Sequence, residues 1–348
     1  MLAIKKVSPE PGIVMMQVSE PSDLLHDEVL IEVRAAGICG SDVHVYQWTP
    51  NYDFMRASLP VTLGHEFSGV VAGVGSAVTG YSIGDAVVAM PTTTCMQCSH
   101  CFAGDFARCS NRKTTGLTRD GAFARFVKVP ARSCIALKEG TDFSLAALIE
   151  PLAVGDGAVQ VSGLSLGDIV VVLGPGTIGQ AMVRSASWRG AGQIISVGFN
   201  DPERLAVCRK MGASYTIDLA DEPNLSEAVL FRTNGQKADV VLEATGNPSS
   251  ITDGLPLLRR QGVYVAGGIH PGPSNLDTTT LVRNALQVRG AHGSRRQSWE
   301  MLVRRIWQEP EALRPMVSVE IPLSDAQDAF ELCVKKTVSK VILQPNCT

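Results

Sequence analysis

Over the first 150 residues, short apolar runs alternate with polar punctuation. Residues 27–35 are rich in β-branched side chains and alternate imperfectly between apolar and polar. Residues 67–74 and 86–90 are further short apolar runs, set apart by Gly64, Gly75 and Gly84-Asp85. Closely spaced strands of this kind predict a mostly β unit, barrel-like or sandwich-like. The pattern changes after Pro151. Residues 169–173, Ile-Val-Val-Val-Leu, form a continuous apolar run, as in a parallel strand buried on both faces. A glycine-rich turn and a helical stretch over 178–189 follow, ended near Gly190. Residues 194–197 read as a second strand. Asp201-Pro202 reads as the N-cap and first position of a helix that Gly212 ends. Strands are expected again over 239–243, 262–266 and 286–289. Alternating β and α segments of this length predict an α/β unit with a doubly wound parallel sheet. Beyond Gly293 the alternation stops. A helix near Trp299, another over 324–334 and a last strand over 340–343 close the chain.

The length, 348 residues, corresponds to two domains at about 150 residues each. A hydrophobic fraction of 45% is too high for disorder. Lys and Arg total 31 against 34 Asp and Glu, without basic blocks, which argues against a nucleic-acid partner. No apolar run approaches the roughly 18–20 residues that span a bilayer, so no membrane partner is expected. The opening residues lack the apolar segment of a secretory signal. Nine cysteines, an odd number in a chain this long, are expected to be reduced, in a cytoplasmic compartment. Some of them then need a role as metal ligands or catalysts.

Cys95, Cys98, Cys101 and Cys109 form C-x2-C-x2-C-x7-C. Four thiolates on one short loop can wrap a tetrahedral ion, and zinc favours such a closed site for structure. An iron–sulfur cluster is the other occupant of four cysteines, and unrelated thiols are the plain alternative. His100, inside the loop, is expected at the surface. A second set is scattered: Cys39 in Gly37-Ile38-Cys39-Gly40-Ser41-Asp42-Val43-His44, His65-Glu66 after Gly64, and Glu150 before Pro151. Singly, each reads as a core or capping residue. Together they offer a thiolate, an imidazole and carboxylates, the donor mix of catalytic zinc with an exchangeable position. Asp42 is a candidate to accept a hydrogen bond from the non-ligating nitrogen of His65 and so fix its tautomer. Its alternative is a turn cap.

Gly174-Pro175-Gly176-Thr177-Ile178-Gly179 is G-x-G-x-x-G, placed between an apolar strand and a helix. In that context it reads as a dinucleotide turn. Gly174 allows the tight turn, Gly176 the approach of the pyrophosphate, and Gly179 close helix–strand packing. The helix N-terminus offers free N–H groups to the anion. An acidic residue normally ends the second strand and binds the ribose. Here Val197-Gly198-Phe199-Asn200-Asp201 places Asp201 late, where it reads more readily as a helix cap. Arg204 either faces a 2′-phosphate or is a solvated helix residue. NAD and NADP both remain open.

Gly64-His65-Glu66-x2-Gly69-x5-Gly75-x2-Val78 resembles the signature of the zinc-containing alcohol dehydrogenases of the medium-chain family. The four clustered cysteines match that family's structural-zinc lobe, and Cys39-Gly40-Ser41-Asp42 its first catalytic-zinc loop. Glu150 in Ile149-Glu150-Pro151-Leu152 is similar to the sorbitol and threonine dehydrogenase-like branch. The resemblance covers essentially the whole chain. It implies a mostly β, GroES-like catalytic domain built from residues 1–153 and 294–348, with a Rossmann domain over 154–293 inserted between them. It implies two zinc ions per chain. Cys39, His65 and Glu66 would hold the catalytic zinc, with Glu150 a ligand or the partner of its water, and Cys95, Cys98, Cys101 and Cys109 the structural one. Thr245, Gly268 and Ile269 would lie near the nicotinamide half of NAD or NADP. Ser41 would receive the substrate proton and His44 would exchange it with solvent.

The activity so implied is hydride transfer between a secondary or functionalised alcohol, or its ketone, and the nicotinamide. The alternatives are a zinc-free quinone or enoyl reductase of the same fold and a non-catalytic zinc- and nucleotide-binding protein. The expected partner is a small molecule. A strand over 286–291 at a sheet edge would invite a homodimer or homotetramer. Two departures from the resemblance touch the substrate. His292-Gly293-Ser294 stands where polyol dehydrogenases carry Arg-Tyr, and Asp156-Gly157 where a histidine is common. The aromatic stretch over 46–54 reads as a pocket wall or as packing between strands. Cys134, Cys208, Cys333 and Cys347 are left as ordinary thiols.

Overall fold

The apolar runs in the middle of the chain become six parallel strands. Their order is Tyr215–Asp218, Gln193–Gly198, Ile169–Leu173, Ala238–Glu243, Leu258–Ala266, Gln287–Gly290. The run Ile169–Leu173 is continuous because both faces are covered. Val170 and Val172 pack with Leu152, Val159, Met182, Val183 and Trp299, while Val171 and Leu173 pack with Ile195, Val229, Leu255 and Tyr264. The strand order reverses between Ile169–Leu173 and Ala238–Glu243. In such sheets that reversal opens a crevice at the carboxyl ends of the strands. The computed structural model describes residues 1–346, and Cys347 lies outside them.

The remaining strands are mainly antiparallel. Glu28–Gly37 pairs with Glu66–Val74 on one side. On the other it pairs with Phe126–Pro130 and, at its end, with Lys340–Gln344 from the far end of the chain. Ala86–Ala89 and Cys134–Ala136 extend this sheet beyond Glu66–Val74. Short helices interrupt the region read as β, notably Gly40–Gln47 and Phe143–Ala147. The helix Ile149–Ser162 begins before Pro151, which sits in its first turn, where a missing N–H costs nothing. Asp201 occupies the N-cap position but caps nothing. Its carboxylate binds Arg204 Nε at 2.7 Å instead, and the N–H groups of Asn200 and Asp201 go to Asp218, at 2.7 and 2.9 Å. The acid that binds the turn before the helix comes from the end of the adjacent strand, a partner that local sequence does not show. Among the described residues no helix is long and apolar enough to cross a membrane.

Asp156 fastens three helices together. It is fully buried and accepts from Ser185 (2.5 Å), Arg189 (2.8 Å), Gln160 (2.6 Å) and Ser298 (2.7 Å). These residues lie on or beside Ile149–Ser162, Thr177–Trp188 and Arg296–Gln308. The neighbouring Gly157 leaves room for the Gly293 carbonyl, which a Cβ would approach to 2.7 Å. The two departures from the polyol pattern therefore touch one another. Burial alone would raise the Asp156 pKa, but these donors outweigh it and hold the carboxyl below its ordinary value of 3.8. Asp156→Ala strands Arg189 and three other donors, so it should lower the unfolding free energy by about 3 kcal/mol in urea titrations. Because the native pKa is depressed, this contribution is complete above pH 3.8 and fades as pH falls through the native value. The gap between variant and wild type should be flat at neutral pH and close only in acid.

Candidate active site

The register of two strands brings the scattered donors together. Gly37 pairs with Glu66, so the exit of one strand lies beside the entry of the other. Cys39 follows as the N-cap of Gly40–Gln47, its N–H held by the Asp42 carboxylate at 3.0 Å. One ligand atom each from Cys39, His65 and Glu66 lie within 4.8 Å of one another. Gly37 leaves the carboxylate its place, because a Cβ there would come within 2.3 Å of Glu66 Oε2. That oxygen crosses the strand to meet Lys340 Nζ at 2.5 Å, and the same ammonium donates to the Ile38 carbonyl at 2.8 Å. Glu66 and Lys340 are both buried. Glu66 Oε1 is left buried without a partner among the described residues.

His65 turns Nε2 toward Ser41 Oγ, at 3.3 Å. Its Nδ1 lies 3.7 Å from Asp42 Oδ1, beyond hydrogen-bond reach, so the expected bond is here a close charge contact. Burial favours a neutral ring, but Asp42, Cys39 and Glu150 outweigh it and drive the His65 pKa up. Glu150 stands outside the three-donor group and within its field. Burial first, then Glu66 and Asp42, push its carboxyl up to about 7. One thiol and three carboxyls thus face a single ammonium in a closed volume, an arrangement that a bound dication balances.

Ser41 also meets the phenol of Tyr52, and Tyr52 stacks on His44 with ring centres 5.7 Å apart. His44 Nδ1 is 3.4 Å from Thr49 Oγ1, and its half-buried position lowers its pKa. The rest of the aromatic stretch turns elsewhere. Tyr46 donates to Glu331 at 2.6 Å and packs on Phe330, and Trp48 carries Lys6 and Arg56 over its ring.

Gly176 precedes the helix Thr177–Trp188 with no side-chain cap, so its first N–H groups stay free for an anion. Gly179 packs on the strand as expected, since a Cβ would fall 1.8 Å from the Gly174 carbonyl. Ile178 packs against the apolar core. Thr177 Oγ1 donates to the Ser339 carbonyl at 2.7 Å and Gln180 Nε2 to Ser339 Oγ at 2.6 Å. The residue next to Lys340 therefore touches the glycine turn. At the neighbouring strand ends, Glu243 gathers the N–H groups of Thr245, Gly246 and Gly268, and Ile269 stays half exposed. Lys340, Ser339 and Gln180 were not read as site residues. A polar residue inside an apolar helix and a lysine opening the last strand were the only signals for them.

In the cysteine loop, Cys95 Sγ lies 4.0 Å from Cys101 Sγ and 3.5 Å from Cys109 Sγ. Four sulfurs at 2.3 Å from a tetrahedral zinc are about 3.8 Å apart. Backbone N–H groups of Ser110 and Cys101 bring the Cys98 thiol down to about 5, whereas burial and neighbouring thiols push Cys101 up to about 11. The four cannot all ionise without a cation to share.

Residues 26–139 match the Alcohol dehydrogenase GroES-like domain family, and residues 177–308 the Zinc-binding dehydrogenase family. A sorbitol dehydrogenase of Halalkalibacterium halodurans is 34% identical over 94% of each chain. An L-threonine 3-dehydrogenase of Bacillus velezensis is 34% identical over 99% of each. The crystal structure of 2R,3R-butanediol dehydrogenase from Bacillus subtilis superposes with a TM-score of 0.89 at 28% identity, covering 99% of both chains. With its GroES-like and Rossmann units, its cluster of thiol, imidazole and carboxyl donors and its glycine turn, the chain belongs to the zinc-dependent medium-chain alcohol dehydrogenases, oxidoreductases that move a hydride between an alcohol or ketone and a nicotinamide cofactor.

Proposed function

We propose that Cys39, His65 and Glu66 form the catalytic zinc site and that Cys95, Cys98, Cys101 and Cys109 hold a second, structural zinc. The observation that carries this is the convergence of the three donor atoms within 4.8 Å, with Glu66 Oε1 buried and unpaired beside them. Zinc bound there supplies Lewis-acid polarisation of a substrate oxygen. Lys340 binds Oε2 of Glu66 and so fixes which of its oxygens faces the pocket. Glu150 closes the pocket as a further carboxylate. Ser41, hydrogen-bonded on the metal side of His65, is positioned to take the proton of a substrate hydroxyl. Tyr52 stands between Ser41 and His44 and carries the path outward, and His44 exchanges the proton with solvent. The substrate is a secondary or functionalised alcohol, or its ketone.

Gly174, Gly176, Thr177, Ile178 and Gly179 cradle the pyrophosphate. Thr245, Gly268 and Ile269 line the nicotinamide half. At the adenosine end, Gly198, Phe199 and Asn200 replace the usual acid, and the Asp201 carboxylate is neutralised by Arg204. Arg204 offers a counter-charge to a 2′-phosphate while Asp218 is engaged by the N–H groups of Asn200 and Asp201, so the site accepts NADP as well as NAD. The catalytic unit spans 1–153 and 294–348, closed by the pairing of Lys340–Gln344 with Glu28–Gly37, and the Rossmann unit spans 154–293. Gln287–Gly290 is an edge strand with exposed Val288, and its pairing with a second copy gives a homodimer or homotetramer in a cytoplasmic compartment.

Elemental analysis should find about two zinc per chain. Cys39→Ser should keep the structural zinc, lose the other, and lower kcat/KM at least about a thousandfold. Full activity in that variant would remove the catalytic-zinc assignment. Lys340→Met leaves Glu66 buried and alone, and should cost about 3 kcal/mol of stability in denaturant titrations. Initial rates over a panel of alcohols should give kcat/KM values for NAD and NADP within about tenfold of each other. A thousandfold preference for NAD would overturn the reading of the adenosine end.

A further inference from the structure

Glu243 is fully buried at the end of its strand. Its Oε1 accepts from Thr245 N–H (2.6 Å), Thr245 Oγ1 (2.7 Å) and Gly246 N–H (2.8 Å), and its Oε2 from Gly268 N–H (3.1 Å). His270 Nε2 also meets Oε2, at 3.1 Å. Burial would raise the Glu243 pKa, but these donors outweigh it and keep the carboxyl below its ordinary value. A carboxylate accepts, so the bond to Glu243 places an N–H on His270 Nε2, and the tautomer with that N–H presents Nδ1 as an acceptor. That atom is buried and has no partner among the described residues. The backbone of the same residue is held from the opposite wall, for the His270 carbonyl accepts Asn51 Nδ2 at 2.9 Å. Asn51 lies in the turn Pro50–Ser58, beside Tyr52. His270 is therefore fixed at ring and backbone, and its one spare group is an acceptor without a donor. Such an atom is costly unless a ligand brings the donor.

Position selects the donor. A dinucleotide lies across the carboxyl ends of these strands, with its adenosine half beyond Gln193–Gly198. The other half then lies over Ala238–Glu243 and Leu258–Ala266, the strands that lead into Thr245 and His270. The carboxamide is the N–H donor of that half. We propose that His270 Nδ1 accepts a hydrogen bond from the nicotinamide carboxamide and, braced by Glu243, sets the orientation of the ring in the cleft. This rests on the dinucleotide reading given above.

A cycle between protein and cofactor tests it. The 3-acetylpyridine analogue keeps the ring carbonyl and lacks the N–H. Fluorescence titration of wild type should show the reduced natural cofactor, NADH or NADPH, binding about five- to tenfold tighter than its acetylpyridine counterpart. In His270→Ala that ratio should fall to near one. His270→Asn, whose Oδ1 can take the place of Nδ1, should restore most of it. Circular dichroism and zinc content establish that each variant is folded. A purely structural role would weaken both cofactors equally and leave the ratio unchanged, which overturns the proposal, as does a ratio near one in wild type that otherwise binds and turns over. Wild type that binds neither cofactor removes the dinucleotide reading itself, and the proposal with it.

Discussion

The buried pair between Glu66 and Lys340 sets the frame of the donor cluster. At 2.5 Å and shut off from solvent, neither charge is tolerable without the other. The same ammonium holds the carbonyl of Ile38, one residue before Cys39. Three segments are thereby aligned at one point: the loop carrying Cys39, the strand opening with Glu66, and the last strand of the chain. Ser339, next along, touches Thr177 and Gln180 at the glycine turn. Two adjacent residues thus hold the donor cluster and the helix after the glycine turn in one frame. Transfer between two bound molecules depends on fixed distances of this kind, since misplacement by an ångström is enough to slow it.

Charge and hydrogen bonding divide the work between the two walls of the cleft. The wall with Cys39, His65, Glu66 and Glu150 gathers thiol, imidazole and carboxyl donors beside a single lysine, a donor set suited to a cation. The opposite wall spends its one buried carboxylate, Glu243, on the N–H groups of the loops after two strands. Those loops are ordered by a centre behind them, so their outer faces remain free for a ligand. Asn51 and His270 join the walls by a neutral bond, which breaks and re-forms at little cost compared with an ion pair.

What could be read in advance was what is local. The run 169–173 announced a doubly buried strand because its period has no polar face. The glycine turn was legible because its neighbours placed it between strand and helix, and the cysteine loop because four thiols able to share one ion lie within fifteen residues. Contacts between distant residues were not legible. A lysine at the head of an apolar strand looks like a solvated end, and only the pairing of Ile342 with Gly37 carries it inside. Asp201 looked like a cap, yet its carboxylate binds Arg204, and Asp218 of a neighbouring strand holds the N–H groups of that turn. Tyr46 looked like part of a pocket until the helix Ala326–Lys335 gave its hydroxyl a partner. Each misreading involves a polar group whose partner was out of sight along the chain.

The Glu66–Lys340 pair also bears on the order of biosynthesis. The two residues are 274 apart. At about 5–20 residues per second, a ribosome reaches the lysine about 15–55 s after the glutamate. Throughout that interval a nascent chain that has already paired Glu28–Gly37 with Glu66–Val74 holds an uncompensated carboxylate at the heart of its sheet. The pocket is left open to water, and the first strand lacks the neighbour that closes one end of it. The donor cluster is therefore finished last, after the cofactor unit has been made.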